Sequence, residues 1–373
     1  MLKVIKSITG LLKIEPLFRS HCSANLTSYL IDSMDSITQV TLGAAVGEAF
    51  LGKKVGYRAA AWGVLLGTLP DLDIIINPFV DNVIELQNHR GFTHSFLFCF
   101  LAAPVFGWII NNVHKSLEIG WVRWSVMSFF IFLTHIFVDL PTTYGTQILW
   151  PFSDTPYTLD SIFIIDPLFT VPLFTGLVLA LMLNRNSRAR MIANRTGILI
   201  STFYLIWGFG IKSHVHSVFA ESFQNQYGMY EQIKTTPNGP STFLWTGYIE
   251  KNDIVYNSVY SIFDEEKLLE FTATPKNSRL IEPYLNDRAI ETLLWFSRGY
   301  YKAEMEGNQL VFYDLRFGRG DFWLTDDAPY VWKNYVRIDE NDNAYTFEQA
   351  IPNFSTRTSN LSRYWNRIWG GPR

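Results

Sequence analysis

The sequence predicts a mainly α, polytopic membrane helical bundle of about six segments, followed by a C-terminal soluble α+β domain. Three observations carry that expectation. Residues 36–212 are mostly apolar, with their charges gathered in small clusters. Residues 213–373 instead alternate apolar and polar positions in short runs, as half-buried strands do. Charged residues make up only 17% of the 373-residue chain, below the usual quarter, while aromatic residues reach 16%. The mean hydropathy of +0.07 therefore averages two unlike parts. The division that follows is a tail over 1–35, a membrane domain over 36–212 and an extracytoplasmic domain over 213–373.

The tail opens with MLKVIKSITGLLKI, which has helical periodicity with lysines on one side and fits a surface helix. It has no long apolar core and no small-residue cleavage site, so it is a poor signal peptide. A second methionine, Met34, stands just before the first membrane segment and is an alternative start. Six segments follow, over 37–51, 57–70, 92–111, 121–140, 164–183 and 196–212. The last four approach the ~20 residues needed to span a bilayer. The first two are short and rich in Gly and Ala (TLGAAVGEAF, AAAWGVLLG), which predicts a tightly packed, re-entrant hairpin. Trp121 and Trp124 at one end, and Tyr144 and Trp150 at the other, fit interfacial aromatic belts.

In the C-terminal part, STFLWTGYIE, DIVYNSVYSIF and NQLVFYDLRFG read as strands, and NDRAIETLLWFS as a helix between strands. Pro237-Asn238-Gly239 marks a turn. The net charge of −3 and the lack of a basic, aromatic-laced patch exclude an argument for nucleic acid. Two cysteines, Cys22 and Cys99, are too few for a disulfide framework.

Basic residues are distributed unequally between the two sets of connections. One set holds Lys53, Lys54, Arg58, Lys115, Arg123, Arg185, Arg188, Arg190 and Arg195; the other holds only Arg90. The positive-inside rule places the first set in the cytoplasm and the C-terminal domain outside. Lys3, Lys6, Lys13 and Arg19 would then lie outside as well, a conflict that disappears if translation begins at Met34.

The polar motifs gather at one end of the spans. Asp71 and Asp73 end one apolar stretch in LPDLD, and His89, Arg90 and His94 precede the next in HRGFTHS. His135 and Asp139 close the following span in THIFVDL, and Asp160 and Asp166 lead into another in LDSIFIIDP. Spans that cross in alternate directions bring these groups to one face, the outer one. Ionisable groups near lipid are costly and usually functional. His135 and Asp139, four apart, share a helix face. Imidazoles and carboxylates without a thiolate suit zinc, manganese or iron, as one ion or as a pair. Arg90 suits either a lipid headgroup phosphate or an anionic substrate. Asp166-Pro167 also reads as an ordinary helix start, and Glu48 as a structural group nearer the cytoplasmic end. No H-E-x-x-H, G-x-S-x-G or phosphate-binding loop occurs.

PDLD, HRGFTHS, the H-x-x-x-D and the later WPFS occur in order, and with the opening MDSITQVTLGAAVGEAFLGKK they resemble the YdjM-like family of bacterial membrane-bound, metal-dependent hydrolases. The resemblance covers about residues 34–170. It extends distantly to zinc-dependent phospholipase C and P1-type nucleases, helical proteins that hold zinc through His and Asp. It implies His135 and Asp139 as the foremost metal ligands, then Asp71 and His94, then Asp73 and His89. Relatives often carry a histidine near the start of the first helix, where this chain has Gln39, a poor ligand; a trinuclear zinc set does not carry over whole.

The function expected is a metal-dependent hydrolase of the bacterial inner membrane, acting at the outer face on a phospholipid or a lipid-linked phosphoester. Asp73 or Asp166 would complete the metal shell or act as general base, and Arg90 would hold the phosphate. The alternative is a non-enzymatic membrane protein with a structural metal and a partner-binding C-terminal domain. A transporter is disfavoured because the motifs lie at one face rather than at midplane.

Overall fold

The computed structural model describes residues 37–325, 328–350 and 361–371, so the expectations for the tail and Met34 lie outside the described residues. Helix α1 covers residues 37–47 and continues through a π turn, Glu48–Gly52. Helix α2, Tyr57–Thr68, packs back along it. The small residues that make both segments poor lipid spans let their backbones touch: a Cβ on Gly43 would collide with the Gly63 carbonyl oxygen. This is the close hairpin expected from the Gly/Ala pattern.

A 3₁₀ segment, Pro70–Phe79, leaves α2 at a bend of 41°. Helix α3 (Asn82–Asn88) and a 3₁₀ turn (Phe92–His94) lead into α4 (Phe96–Val113) and α5 (Trp121–Asp139). The hydroxyl of Ser95 caps α4 by accepting from Phe98 N at 3.1 Å. Helices α6 (Pro167–Met182) and α7 (Arg188–Tyr227) form the second antiparallel pair. Among the described residues, α4, α5 and α7 are long and apolar enough to cross a membrane, and α2 with its bent 3₁₀ extension makes a fourth candidate. The six expected segments thus resolve into three to four candidate spans, with α1 and α6 shorter. Trp124 is fully buried against His114 rather than facing lipid.

Two features fix the bundle away from the polar motifs. Glu48 and Arg190, both buried, pair bidentately at 2.6 and 2.7 Å. One turn on, Asn194 donates to the Ala45 carbonyl. Glu48 is thereby matched by a cation, in keeping with a structural role.

The 40 residues of α7 extend about 60 Å at 1.5 Å per residue, twice the hydrocarbon thickness. The helix therefore runs unbroken past Lys212, where the membrane domain was expected to end. Its last turns bury Val215, Phe219 and Phe223 against Trp245, Ile249 and Tyr260. Two four-stranded antiparallel sheets follow, each in sequential order. The first joins β1 (Gln232–Pro237), β2 (Leu244–Lys251), β3 (Ile254–Ser261) and β4 (Thr272–Pro275). The second joins β5 (Tyr301–Glu306), β6 (Gln309–Arg319), β7 (Tyr330–Ile338) and β8 (Ala344–Gln349). Helix α8, Arg288–Ser297, lies between them in sequence. Strands β2 and β6 are buried on both faces rather than half-buried. Leu244 and Tyr248 of β2 face Tyr300 and Trp323, while Trp245 and Ile249 face α7.

The C-terminal part sits on the polar end of the bundle. Val83 and Leu86 of α3 share a core with Ile290, Leu293 and Phe296 of α8. Arg288 pairs with Asp81 at 2.5 Å, and Gln87 donates to Thr292. Tyr144 inserts its ring beside Phe296, Phe317 and Trp332.

Candidate metal centre

The bend after α2, the turn before α4 and the end of α5 meet at one point. Asp71, His94, His135 and Asp139 each offer a ligand atom there, all within 4.8 Å of one another. His94 Nε2 lies 3.3 Å from both Asp71 Oδ1 and Asp139 Oδ2. His135 Nε2 lies 3.4 Å from the same two oxygens and 3.2 Å from His94 Nε2. A tetrahedron with metal–ligand bonds near 2.0–2.1 Å has edges of about 3.3–3.4 Å. The five distances that involve an imidazole match those edges, and the two carboxylate oxygens lie within 4.8 Å of each other.

Contacts behind the donors orient them. His135 Nδ1 meets the Gly67 carbonyl at 2.8 Å, which turns Nε2 toward the cluster. His94 Nδ1 meets Thr93 Oγ1 at 3.1 Å. Asp139 Oδ1 accepts from Gln39 Nε2 at 2.9 Å and lies 3.3 Å from Arg90 Nη2. Asp139 Oδ2 is buried and faces the imidazole nitrogens of the cluster, His94 Nε2 at 3.3 Å and His135 Nε2 at 3.4 Å. Three of the four side chains are buried, and Asp71 retains 29% exposure. Burial alone would lower the pKa of His94, but hydrogen bonds and charge from Asp139, Asp71 and Asp73 raise it to about 10. The carboxylates thus demand a positive charge at this point.

The other expected residues stand around this group. Asp73 accepts from Arg90 N at 2.8 Å and contacts His89 Nδ1 at 3.3 Å, so the pair lies beside the four donors rather than among them. Arg90 is 3% exposed. Its guanidinium donates to Thr142, faces Asp139 and lies over the Tyr144 ring. It points into the protein as counter-charge to Asp139, and a phosphate contact would require those bonds to open. Asp166 caps α6 through Leu168 N and accepts from Tyr204. It is engaged as a helix start. Asp160 pairs with Lys234 at 2.6 Å, apart from the metal donors.

Gln39 is the residue whose part in the site the sequence conceals. It is not needed as a ligand: it holds a ligand. An uncharged amide facing inward from an apolar helix is the signal that points to it, and it becomes interpretable only once α1 is placed against α5.

A family model described as YdjM inner membrane protein matches residues 34–215, which include all four donors. The chain is similar to the inner membrane protein YbcI of Escherichia coli (strain K12), with 30% identity over 125 residues, 32% of this chain and 68% of YbcI. It is also similar to the uncharacterized protein YfhP of Bacillus subtilis (strain 168), with 34% identity over 144 residues, 36% of this chain and 42% of YfhP. The matched stretch therefore spans less than half of YfhP. No solved structure matches the chain.

Proposed function

The chain belongs to the YdjM inner membrane protein family, and from that premise we propose that it is a membrane-bound, metal-dependent hydrolase of a lipid-borne phosphoester. The observation that carries this reading is the group of four donors, each imidazole 3.2–3.4 Å from the other and from both carboxylates, with Asp139 Oδ2 buried and facing them. Two imidazoles and two carboxylates at tetrahedral spacing favour zinc over manganese or iron. Asp71, His94, His135 and Asp139 would hold the ion, which would supply Lewis-acid chemistry, lowering the pKa of a water and polarising a phosphoryl oxygen.

The protein's own groups supply the rest. Asp71, the most open donor, is the ligand able to yield or share its position with an incoming water. Asp73 Oδ2, 3.8 Å from His94 Nδ1, and His89, which Asp73 orients and which is 20% exposed, are the proton acceptors beside the group. Arg90 Nη2, 3.3 Å from Asp139 Oδ1, is the counter-charge that holds Asp139 in place. Leu72, Ile75, Ile76 and Phe79 stand exposed on the same segment as Asp71, forming an apolar rim suited to a membrane substrate. The unequal basic connections support an outer-face orientation.

A second reading is favoured by one observation: four protein donors make a closed set, typical of structural zinc. The two readings part at one experiment. Detergent-purified protein is analysed by elemental mass spectrometry beside His135→Ala and Asp139→Ala, and the metal-loaded wild type is assayed on phospholipids and lipid phosphates. Stoichiometric zinc lost in both variants, with phosphoester cleavage in wild type alone, is the expected result. Zinc bound without cleavage of any lipid phosphoester would assign the ion to structure; no transition metal in the wild type would end the metal reading.

A further inference from the structure

A second polar site lies where the 140–166 connection, the extension of α7 and the two sheets meet. It is a cavity of about 300 Å³ walled by Thr158, Asp160, Lys212, Lys234, Arg298 and Tyr300, among others. Three cations line it against one carboxylate. Lys234 Nζ lies 2.6 Å and Lys212 Nζ 3.4 Å from the same oxygen, Asp160 Oδ2. Arg298 donates through Nη1 to Thr158 at 2.7 Å, and no ion pair neutralises it among the described residues. Its Nη2 is buried without a hydrogen-bond partner. Lys234 is itself more than nine-tenths buried.

Burying a cation is costly unless it is paired, and here two positive charges remain in excess. We propose that this cavity is an anion site that binds the phosphate group of a phosphate ester. The fork of Arg298 and the two ammonium groups suit an anion with several acceptor oxygens. Asp160 Oδ1, also buried and unpartnered, is an acceptor suited to a hydroxyl of the same ligand. Burial and mutual repulsion support the argument, since they depress the Lys234 ammonium to about 8 and the Arg298 guanidinium to about 10 despite Asp160. The ligand source is either a soluble phosphomonoester or a lipid headgroup reached along α7.

The test titrates the full-length, detergent-purified protein with glycerol phosphate by calorimetry. In parallel, nanodiscs of phosphatidylglycerol are compared with nanodiscs of phosphatidylcholine. Lys212→Gln and Arg298→Gln are each expected to weaken binding tenfold or more, while Lys333→Gln leaves it unchanged. Glycerol phosphate binding with that pattern supports a soluble ligand. The same pattern only with phosphatidylglycerol supports a headgroup. Should a variant misfold, amine acylation of wild-type Lys212 and Lys234, read by mass spectrometry, must slow when the ligand is present. No binding of either probe at millimolar concentration, binding indifferent to Lys212 and Arg298, or acylation unaffected by ligand overturns the proposal.

Discussion

At the scale of single residues, the candidate centre depends as much on the atoms behind the donors as on the donors. Gln39 Nε2 holds Asp139 Oδ1, which leaves Oδ2 for the cluster. The Gly67 carbonyl fixes His135 in one tautomer. Losing such an outer contact typically lowers metal affinity 10–100-fold. Gln39→Ala is therefore expected to weaken zinc binding by about that factor, against complete loss in His135→Ala. Competition with a chromophoric chelator measures both, and wild-type affinity in Gln39→Ala would remove Gln39 from the site. Arg90 shows why residue type alone misleads. An arginine beside two histidines suggests a phosphate clamp, yet its backbone has φ +54° and its head turns inward to Asp139 and Thr142. Nothing in the local sequence reports that turn, which depends on the C-terminal part supplying the ring stack around Tyr144.

At the scale of elements, what was legible in the sequence and what was not divide along a physical line. The convergence of Asp71, His94, His135 and Asp139 follows from motif position at the ends of antiparallel helices, so it could be read before any contact was known. The span count could not, because α1 and α2 bury their small residues against each other instead of presenting length to lipid. The strands β2, β3 and β6 and helix α8 were legible from periodicity, but the two-sided burial of β2 and β6 was not, since it depends on what packs above and below. The α1–α2 contact also carries function: α1 brings Gln39 and α2 brings Gly67 to the centre. Gly43→Val would force a side chain into the Gly63 carbonyl. Overpacking of this kind costs about 1–3 kcal/mol. The expected outcome is a lower melting temperature together with weaker metal retention. A variant that melts earlier yet retains zinc at wild-type affinity would show that the hairpin is not coupled to the site. Glu48→Gln tests the opposite end of the same hairpin. It leaves Arg190 buried without its partner, a loss of about 3–5 kcal/mol, and it is expected to lower the melting temperature with little change in metal affinity.

At the scale of the whole molecule, the long helix α7 and the α3–α8 seam tie the sheets to the polar end of the bundle, where the candidate centre lies. The connection from Leu140 to Asp166 links that centre to the anion cavity: Leu140 and Pro141 accept hydrogen bonds from Leu159 and Ser161, either side of Asp160. The cavity then gives the molecule a pH dependence with a definite sign. Burial is the main force lowering Lys234 to about 8, and Arg316 and Arg298 add to it while Asp160 opposes. Lys212 and His216 of α7 and Tyr300 beyond α8 complete the surrounding groups; burial raises the Tyr300 phenol, which stays neutral. A phosphomonoester is already a dianion above its second pKa of about 6, so the ligand's charge is constant from pH 7 to 9. Binding requires the charged amine, so affinity falls as pH rises through about 8. Arg298, at about 10, keeps its charge through this interval. Glycerol phosphate affinity is therefore expected to drop several-fold between pH 7 and 9 in the wild type. In Lys234→Met it should be weaker at pH 7 and fall less across the same range, because Lys212, also lowered by burial, remains as the second amine. A wild-type titration without a step near pH 8, in protein that binds the ester, would show that Lys234 does not face the anion.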